Sequence, residues 1–523
     1  MENNFNPDTL PESPAQNSPQ GEFIPTQAAL PVKPIAKPVY TLPEAIISAV
    51  SLILAFVFTH FVCGYANGIW GGIFWALVGV LGAVFVRLKK LPVNKLQIVI
   101  FVVAEVFCAV PFVSSNGFVN FLAALYSFLL LFYLGITLSG AEVLGNRFAG
   151  DMLKAVFVRP FTSFADAPRA FSSLFKKAKT GKNILYVIFG LLIAAPLSII
   201  VILLLMNADE AFSNAMQGIL DALPDISFIT VIEIAFAVPV GFIIFGAVFS
   251  TGKKLEGTPS DPNAIRIMPS LTAYVAVTPV CVFYVIYILS QFTYFTAAFG
   301  GNLPEQYSYA EFARRGFFEL CVVAFINLII IIVMQTFVKR RDDGSCSKTL
   351  KAYTIIIAVF TLLLIASAFS KMIMYISNKG LTLLRVYTSW FELLMAIVMI
   401  VIIVRQFKAF RIWRVLFAAF SIMLGALCFG DVEGNIANYN ITAYETHQLP
   451  SLDIDSMRFD FCGVSAARYA ARLVNSPNAD IALDARAFVG DLDDRINGRL
   501  DGYEYFSIER ELARAAINQT KQG

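Results

Sequence analysis

Charged side chains near the ends of apolar segments are the residues of this chain whose types could do chemistry. They are Asp209, Glu210, Glu311, Arg314, Arg315, Glu319, Lys371, Arg385 and Glu392. Glu311, Arg315 and Glu319 recur every four residues, so a helix places the cation between two carboxylates on one face. Charges at membrane depth pair with one another or face water. The pattern predicts an outward-facing polar cluster, which is either a binding pocket or a set of ion pairs that lock helix ends.

Two further carboxylates, Glu105 and Glu233, stand inside apolar segments. A lone carboxylate in a medium of low dielectric constant is protonated unless it finds a partner. Each glutamate is therefore a candidate for proton relay or cation binding. The alternative is a neutral, hydrogen-bonded contact between packed helices.

Motifs for catalysis or cofactor binding are absent from the sequence. The chain has two histidines, and it contains neither an HExxH pair nor a phosphate-binding loop. A GxSxG nucleophile elbow is also missing. Seven cysteines are scattered without a CxxC pair, which indicates reduced thiols. We predict no enzyme activity, no metal and no cofactor, and the net charge of +3 gives no reason to expect nucleic acid as a partner.

The composition predicts an all-α, polytopic helical membrane protein. Of the 523 residues, 57% are hydrophobic and 15% are charged, whereas soluble domains carry about 25% charged residues. A spanning helix needs about 20 apolar residues. We predict about eleven transmembrane helices, at residues 44–65, 68–86, 96–113, 118–138, 184–206, 226–250, 271–295, 316–338, 352–371, 383–404 and 413–430.

Lysine and arginine alternate between the connections and predict the orientation. The N-terminal tail and every second connection hold 26 basic residues, and the other short connections hold 5. Because basic loops stay in the cytoplasm, the N-terminus is predicted inside and the C-terminus outside the plasma membrane.

Three regions other than the spans are predicted. Residues 1–40 contain eight prolines and read as a disordered cytoplasmic tail, followed by the transmembrane domain at 41–440. Within that domain, residues 141–183 are predicted to form a basic amphipathic cytoplasmic loop. Its aromatic and basic residues, at 141–182, are typical of a segment that lies on an anionic lipid surface. The alternative is a solvated, positively charged loop. Residues 441–523 form a small extracytoplasmic helical unit, in which Ile481, Ala485, Phe488, Val489, Leu492 and Ile496 share one helix face.

Three stretches carry a resemblance to a known family. They are Val158–Phe161 with Leu203–Phe212, then Tyr307–Leu320, and finally Lys371–Tyr375 with Gly380–Arg385. Together they resemble the bacterial membrane proteins grouped as domain of unknown function 4173, close to the related 4153 group, over residues 40–440. The resemblance implies a polytopic membrane protein and supplies no activity or catalytic residue.

Two function classes follow from these observations. The first is a non-catalytic sensing, regulatory or scaffolding protein of the envelope, with partners among the lipids and proteins there. It rests on the helical C-terminal unit and the shortage of catalytic groups. The second is a transporter or channel, indicated by the many spans, by Pro111, Pro196, Pro239 and Pro279 within them, and by Glu105 and Glu233.

Overall fold

The structure is a computed structural model, and the residues that it describes are all-α. They are 39–63, 68–175, 198, 201, 202, 204–222, 228–255, 266–300, 317–341, 345–449, 451, 452, 463–499, 502 and 505–522. No β-strand occurs among them, and the residues from Thr41 onward form one compact unit. Ten of the described helices are long and apolar enough to cross a membrane. The predicted fold class, a polytopic helical membrane protein, is confirmed.

The described helices fall into three groups along the chain. The first group is α1 Leu42–Val57, α2 Trp70–Leu88, α3 Lys95–Cys108, α4 Val110–Val113, α5 Gly117–Leu138, α6 Phe148–Phe157, α7 Arg159–Thr162, α8 Asp166–Ser172, α9 Glu210–Ala222 and α10 Phe228–Ser250. The second group is α11 Ser270–Gly300, α12 Phe317–Phe337, α13 Lys348–Lys379, α14 Leu383–Phe407 and α15 Ile412–Phe429. The third group is α16 Val432–Glu445, α17 Ala467–Ala470, α18 Ala479–Asp494 and α19 Ile508–Gln522.

Polar side chains begin several of the apolar helices. Asn94 accepts a hydrogen bond from the Gln97 N–H at the start of α3, and Asn116 accepts one from the Val119 N–H at the start of α5. Such caps satisfy N–H groups that the first helical turn leaves unpaired. The third span is divided, because α3 ends at Cys108 and Pro111 stands in the short α4 that continues it.

One end of the helical bundle gathers the basic connections, and we call it the basic end. Lys89, after α2, pairs with Glu44 at the start of α1. Ser139, after α5, donates to the Ser250 carbonyl at the end of α10 over 3.2 Å. Arg411, before α15, pairs with Glu142 at 3.0 Å. The connections whose lysines and arginines the sequence singles out are thus neighbours in space.

The opposite end of the bundle carries the C-terminal helices, and we call it the C-terminal end. Asn116, between α4 and α5, contacts Glu433 of α16 at 2.5 Å. Leu381, between α13 and α14, donates its N–H to Asn440 of α16 over 2.7 Å. Helix α16, the first of the C-terminal helices, therefore packs against the ends of the spans here.

Ten of the eleven predicted spans correspond to described helices, and the remaining one, 184–206, lies largely outside the described residues. The described segments on its two sides contact opposite ends of α1. Ser48, near the start of α1, donates to the Ala167 carbonyl over 2.8 Å, whereas His60, past its end, pairs with Glu233 at 2.7 Å.

The apolar face predicted in the C-terminal unit is buried. Its six residues, Ile481, Ala485, Phe488, Val489, Leu492 and Ile496, are all less than 9% exposed. They share one core with Leu383 at the start of α14 and with Ile436 and Ile441 of α16. The unit therefore completes its core with residues that adjoin the membrane helices, as expected for a unit too small to bury enough surface alone.

Asn440 joins α16 to the connection between α13 and α14, and this contact gives a testable prediction. Its side chain accepts from the Leu381 N–H and donates to the Leu381 carbonyl over 2.9 Å. Gly380, at φ 72°, lies so close that a Cβ there would stand 2.5 Å from the Asn440 Oδ1. We expect Asn440→Ala to lower the free energy of unfolding by about 1–3 kcal/mol, since it strands two backbone groups.

The measurement is thermal unfolding of the purified protein in detergent, with Asn438→Ala as the matched control. Asn438 lies on the same helix and accepts a longer, exposed hydrogen bond of 3.3 Å from Arg472. If the melting temperatures of the Asn440 and Asn438 variants both equal that of the wild type, the Asn440 contact does not stabilise the fold.

Candidate functional site

Two buried glutamates, Glu433 and Glu509, form the centre of the candidate site at the C-terminal end. Glu433 lies in the first turn of α16 and Glu509 in the first turn of α19. Both are less than 9% exposed. Charged groups are rarely buried so completely unless they are paired or hydrogen-bonded. The polar atoms around the two carboxyl groups therefore decide what this site can do.

The connection between α4 and α5 supplies most of the donors. The Ser115 N–H donates to Glu509 Oε2 over 2.8 Å, and the hydroxyls of Ser114 and Ser115 each donate to the same oxygen over 3.1 Å. The Asn116 amide donates to Glu433 Oε1 over 2.5 Å and to the Tyr387 hydroxyl of α14 over 3.1 Å. One polar turn between two spans thus holds both carboxyl groups of the C-terminal helices.

The negative charge of the site is only partly compensated. Asp431, beside Glu433, is at φ 45°, caps α16 and pairs with Arg468. Arg510 follows Glu509 in the chain, yet its guanidinium lies over the Tyr505 ring, 5.7 Å from the centroid. Three carboxyl groups, those of Asp431, Glu433 and Glu509, therefore interact electrostatically at this junction.

These surroundings make Glu433 the group that holds a proton. Burial, followed by repulsion from Glu509, raises the pKa of Glu433 to about 8. Burial and repulsion from Asp431 also raise the pKa of Glu509, and the hydrogen bonds from the Ser115 N–H and the two hydroxyls oppose this rise without reversing it, because they favour the carboxylate. Glu433 Oε2 lies against the backbone of Gly463, whose N–H opposes part of the rise in the Glu433 pKa, although no hydrogen bond of full geometry reaches this oxygen from the described residues. The interface therefore favours binding of a proton, and Glu433 has the pKa that is raised to about 8.

Gly463 closes the site on the side of the C-terminal unit. A Cβ at Gly463 would stand 2.1 Å from Glu433 Oε2. The close approach excludes a side chain there. The glutamate pair and its hydrogen-bond partners thus join the α4–α5 connection, α14, α16, the segment before α17, and α19.

The predicted outward-facing polar cluster is described only in part. Glu311, Arg314 and Arg315 lie outside the described residues. Asp209 and Glu210 are exposed, and Asp209 caps α9 by accepting the Phe212 N–H over 2.7 Å. Glu319 is exposed at the start of α12 and lies within electrostatic range of Lys371 on α13.

Arg385 and Glu392 occupy different surroundings on α14. Arg385 donates to the carbonyls of Lys379 and Gly380 at the end of α13, and its guanidinium lies 4.0 Å from the centroid of the Tyr375 ring. Glu392 is buried and accepts a hydrogen bond from the Cys321 thiol over 3.2 Å. Arg385 thus satisfies carbonyls that a helix end leaves unpaired.

The two glutamates predicted within spans also differ. Glu233 pairs with His60 at 2.7 Å, near the C-terminal end of the bundle. Glu105 Oε1 is buried without a hydrogen-bond partner in the described part of the chain. It lies against Gly79 of α2, where a Cβ would stand 1.9 Å from Oε1. The described residues hold no group of three or more histidine, cysteine or acidic side chains that could bind a metal.

Sequence reasoning missed Glu433 and Glu509. Glu433 resembles an ordinary acidic residue in the first turn of a helix, and Glu509 lies 395 residues from the Ser114 that contacts it. A usable signal was the run Ser114-Ser115-Asn116, three polar residues between two apolar spans. The predicted topology placed this run on the same side as the C-terminal unit.

The fold and the site define a multi-pass helical membrane protein whose C-terminal helices are joined to the span ends by buried carboxyl groups. The family model described as Domain of unknown function (DUF4153) matches residues 101–472, which is more than half of the chain. The chain belongs to that family. The resemblance to the 4173 group is not confirmed, and the related 4153 group is the one that matches. Neither a curated protein nor a solved structure matches the chain.

The family match extends past residue 440, where the resemblance seen in the sequence ends. It ends at residue 472 and so includes Ser114, Asn116, Glu433 and Gly463. Glu509 and α19 follow it.

Proposed function

We propose that this protein is a non-catalytic sensing or scaffolding protein of the bacterial cell envelope, in which proton binding at Glu433 controls how the C-terminal unit is held. The observation that carries the proposal is the burial of Glu433 and Glu509 where the C-terminal helices meet the span ends, with repulsion between the two carboxyl groups. Removing a proton there leaves two like charges in a desolvated interface, which weakens the packing.

The orientation belongs to the same proposal. The basic end is cytoplasmic by the positive-inside rule, so the C-terminal unit faces the exterior of the plasma membrane and meets the external pH. On the basic end, α6 and α7 expose Leu153, Phe157 and Phe161 beside Lys154. Apolar side chains exposed beside a cation suit an interfacial segment on anionic lipid.

Proximity labelling from the C-terminus tests the sensing function. We expect the labelled envelope proteins to change between acidic and alkaline medium in the wild type. Glu433→Gln keeps a neutral side chain at every pH. In both media this variant is expected to label the proteins that the wild type labels in acidic medium. Identical protein sets for both chains at both pH values, or no reproducible partner, would remove the reason for a sensing role.

A second candidate function is proton-coupled transport, and Glu105 favours it. Its unpartnered carboxyl oxygen lies against Gly79, and Gly79 lines a cavity at the basic end. We expect a transporter to lose proton uptake when Glu105 becomes Gln. The uptake is measured in reconstituted vesicles that contain a pH-sensitive dye. Gln97→Glu, at a residue whose side chain is hydrogen-bonded, is the control for the effect of a changed charge. Equal uptake by the wild type and Glu105→Gln would exclude a transport role for the Glu105 proton.

A further inference from the structure

A cavity of about 650 Å³ lies between α2, α3, α5 and α10 at the basic end of the bundle. Its lining follows α2 from Val78 to Arg87, a rise of about 14 Å along the helix, and continues to Lys90 beyond the helix end. Ile98, Phe101 and Leu131 are among the apolar side chains of its walls. Ligand pockets in proteins usually measure about 300–1,000 Å³, so the space is large enough for a bound molecule.

Gly82 keeps part of this cavity open. A Cβ built at Gly82 meets no atom within 4 Å, although the residue lies in the middle of α2 and lines the cavity. Glycine costs helix stability by comparison with alanine, so an interior glycine facing empty space gains nothing from protein packing. The open space beside Gly82 is accessible to an apolar chain.

Three cations, Arg87, Lys90 and Arg159, line the cavity where it reaches the basic end, and no carboxylate is among the described residues that line it. Their neighbours are neutralised: Lys89 pairs with Glu44, and Lys253 pairs with Asp166 at 2.7 Å. Within the described part of the chain, no ion pair involves any of the three cations that face the cavity.

Arg159 is the most enclosed of these cations. Its guanidinium donates to Ser139 Oγ, to the Ser250 carbonyl and, over 3.0 Å, to the Lys253 carbonyl. Burial lowers the pKa of Arg159, and no anion offsets that effect. A cation held in partial desolvation by neutral hydroxyl and carbonyl groups attracts an anionic ligand.

We propose that this cavity binds one anionic phospholipid from the leaflet at the basic end, with an acyl chain between α2 and α5 and the phosphate at the three cations. The apolar walls beside Gly82 match the chain, and the uncompensated charges of Arg87, Lys90 and Arg159 match the headgroup. A zwitterionic lipid would bring its own cation to a site that already holds three. The inference goes beyond the proposed sensing function and does not depend on it.

Photo-crosslinking in nanodiscs tests the lipid site. The full-length protein is reconstituted with a trace of phosphatidylglycerol or phosphatidylcholine that carries a photoreactive group in the acyl chain. We expect labelling of peptides from α2 and α5, with a preference for phosphatidylglycerol. Since each basic residue near anionic lipid contributes about fivefold in affinity, Lys90→Gln should reduce that preference about fivefold.

Gly82→Phe fills the cavity and should remove the labelling of both peptides. Gly71→Phe is its matched control, because Gly71 also lies on α2 with open space around it but does not line the cavity. Circular dichroism and gel filtration of the two variants report whether each folds. The proposal is overturned if both lipids label equally, if Gly82→Phe labels like Gly71→Phe, or if Lys90→Gln keeps the full preference. If Gly82→Phe fails to fold, the proposal is still tested by comparing the labelling by the two lipids and by the effect of Lys90→Gln on the lipid preference.

Discussion

Glu433→Gln is expected to reduce the pH dependence of the packing between α19 and the span ends, and to keep α19 packed to higher pH than in the wild type, while Glu509 retains its own raised pKa. In the packed state the pKa of Glu433 is about 8, against an ordinary value of 4.5. The packed state therefore binds more protons than the released state between these two pH values, and the packing weakens as pH rises through that window. One pKa unit corresponds to about 1.4 kcal/mol, so the wild type should lose a few kcal/mol across it.

Hydrogen–deuterium exchange of the α19 amides measures this effect. Protection in the wild type should fall as pH rises from about 5 to about 8, after correction for the intrinsic exchange rate. Glu445→Gln, an exposed glutamate on the same helix as Glu433, serves as the control and should follow the wild type. If the wild type has constant protection over that window, Glu433 does not control the packing.

Glu509→Ala is expected to release α19 from the span ends at every pH. The substitution strands the Ser115 N–H and the hydroxyls of Ser114 and Ser115, and each buried unsatisfied donor costs about 1–3 kcal/mol. Glu511→Ala on the same helix is the matched control, because its partner Arg514, at 2.8 Å, forms a more exposed i,i+3 pair worth about 0.3–0.5 kcal/mol.

Limited proteolysis of the C-terminal residues distinguishes the two variants. The Glu509 variant should be cut before α19 much faster than the wild type, and the Glu511 variant at the wild-type rate. The cleavage rate of Glu509→Gln should differ from the rates of Glu509→Ala and Glu511→Ala. Glutamine retains a hydrogen-bond acceptor, and it removes the repulsion from Glu509 that raises the pKa of Glu433. Equal cleavage of all four chains would show that the Glu509 contacts do not hold α19.

The spans and the apolar face of α18 could be predicted because each depends on a local pattern. Hydrophobicity sustained over a membrane thickness identifies a span, and the period of residues such as Ile481, Ala485 and Phe488 identifies a buried helix face. These signals need no knowledge of what the helix packs against, and the structure agrees with them in the described residues.

The glutamate pair could not be predicted in the same way. Glu509 and Ser114 come together only because α4 and α19 reach the same end of the bundle. Conversely, Arg385 belongs to the predicted polar cluster, yet it donates to the carbonyls that end α13. Charge spacing along one helix does not show which backbone groups of a neighbouring helix need a donor.

The most direct test of the proton-controlled interface is the distance between α19 and the end of α13 as a function of pH. Nitroxide labels at the exposed Ala515 and Lys379, in a chain whose exposed Cys63 is replaced, report it by pulsed electron resonance. Near pH 5 the wild type should give one narrow distance distribution, and toward about pH 8 and above a second, longer distance should appear, which Glu433→Gln lacks. A wild-type distribution that stays narrow at every pH, or one that broadens equally in Glu433→Gln, would contradict proton control of this interface.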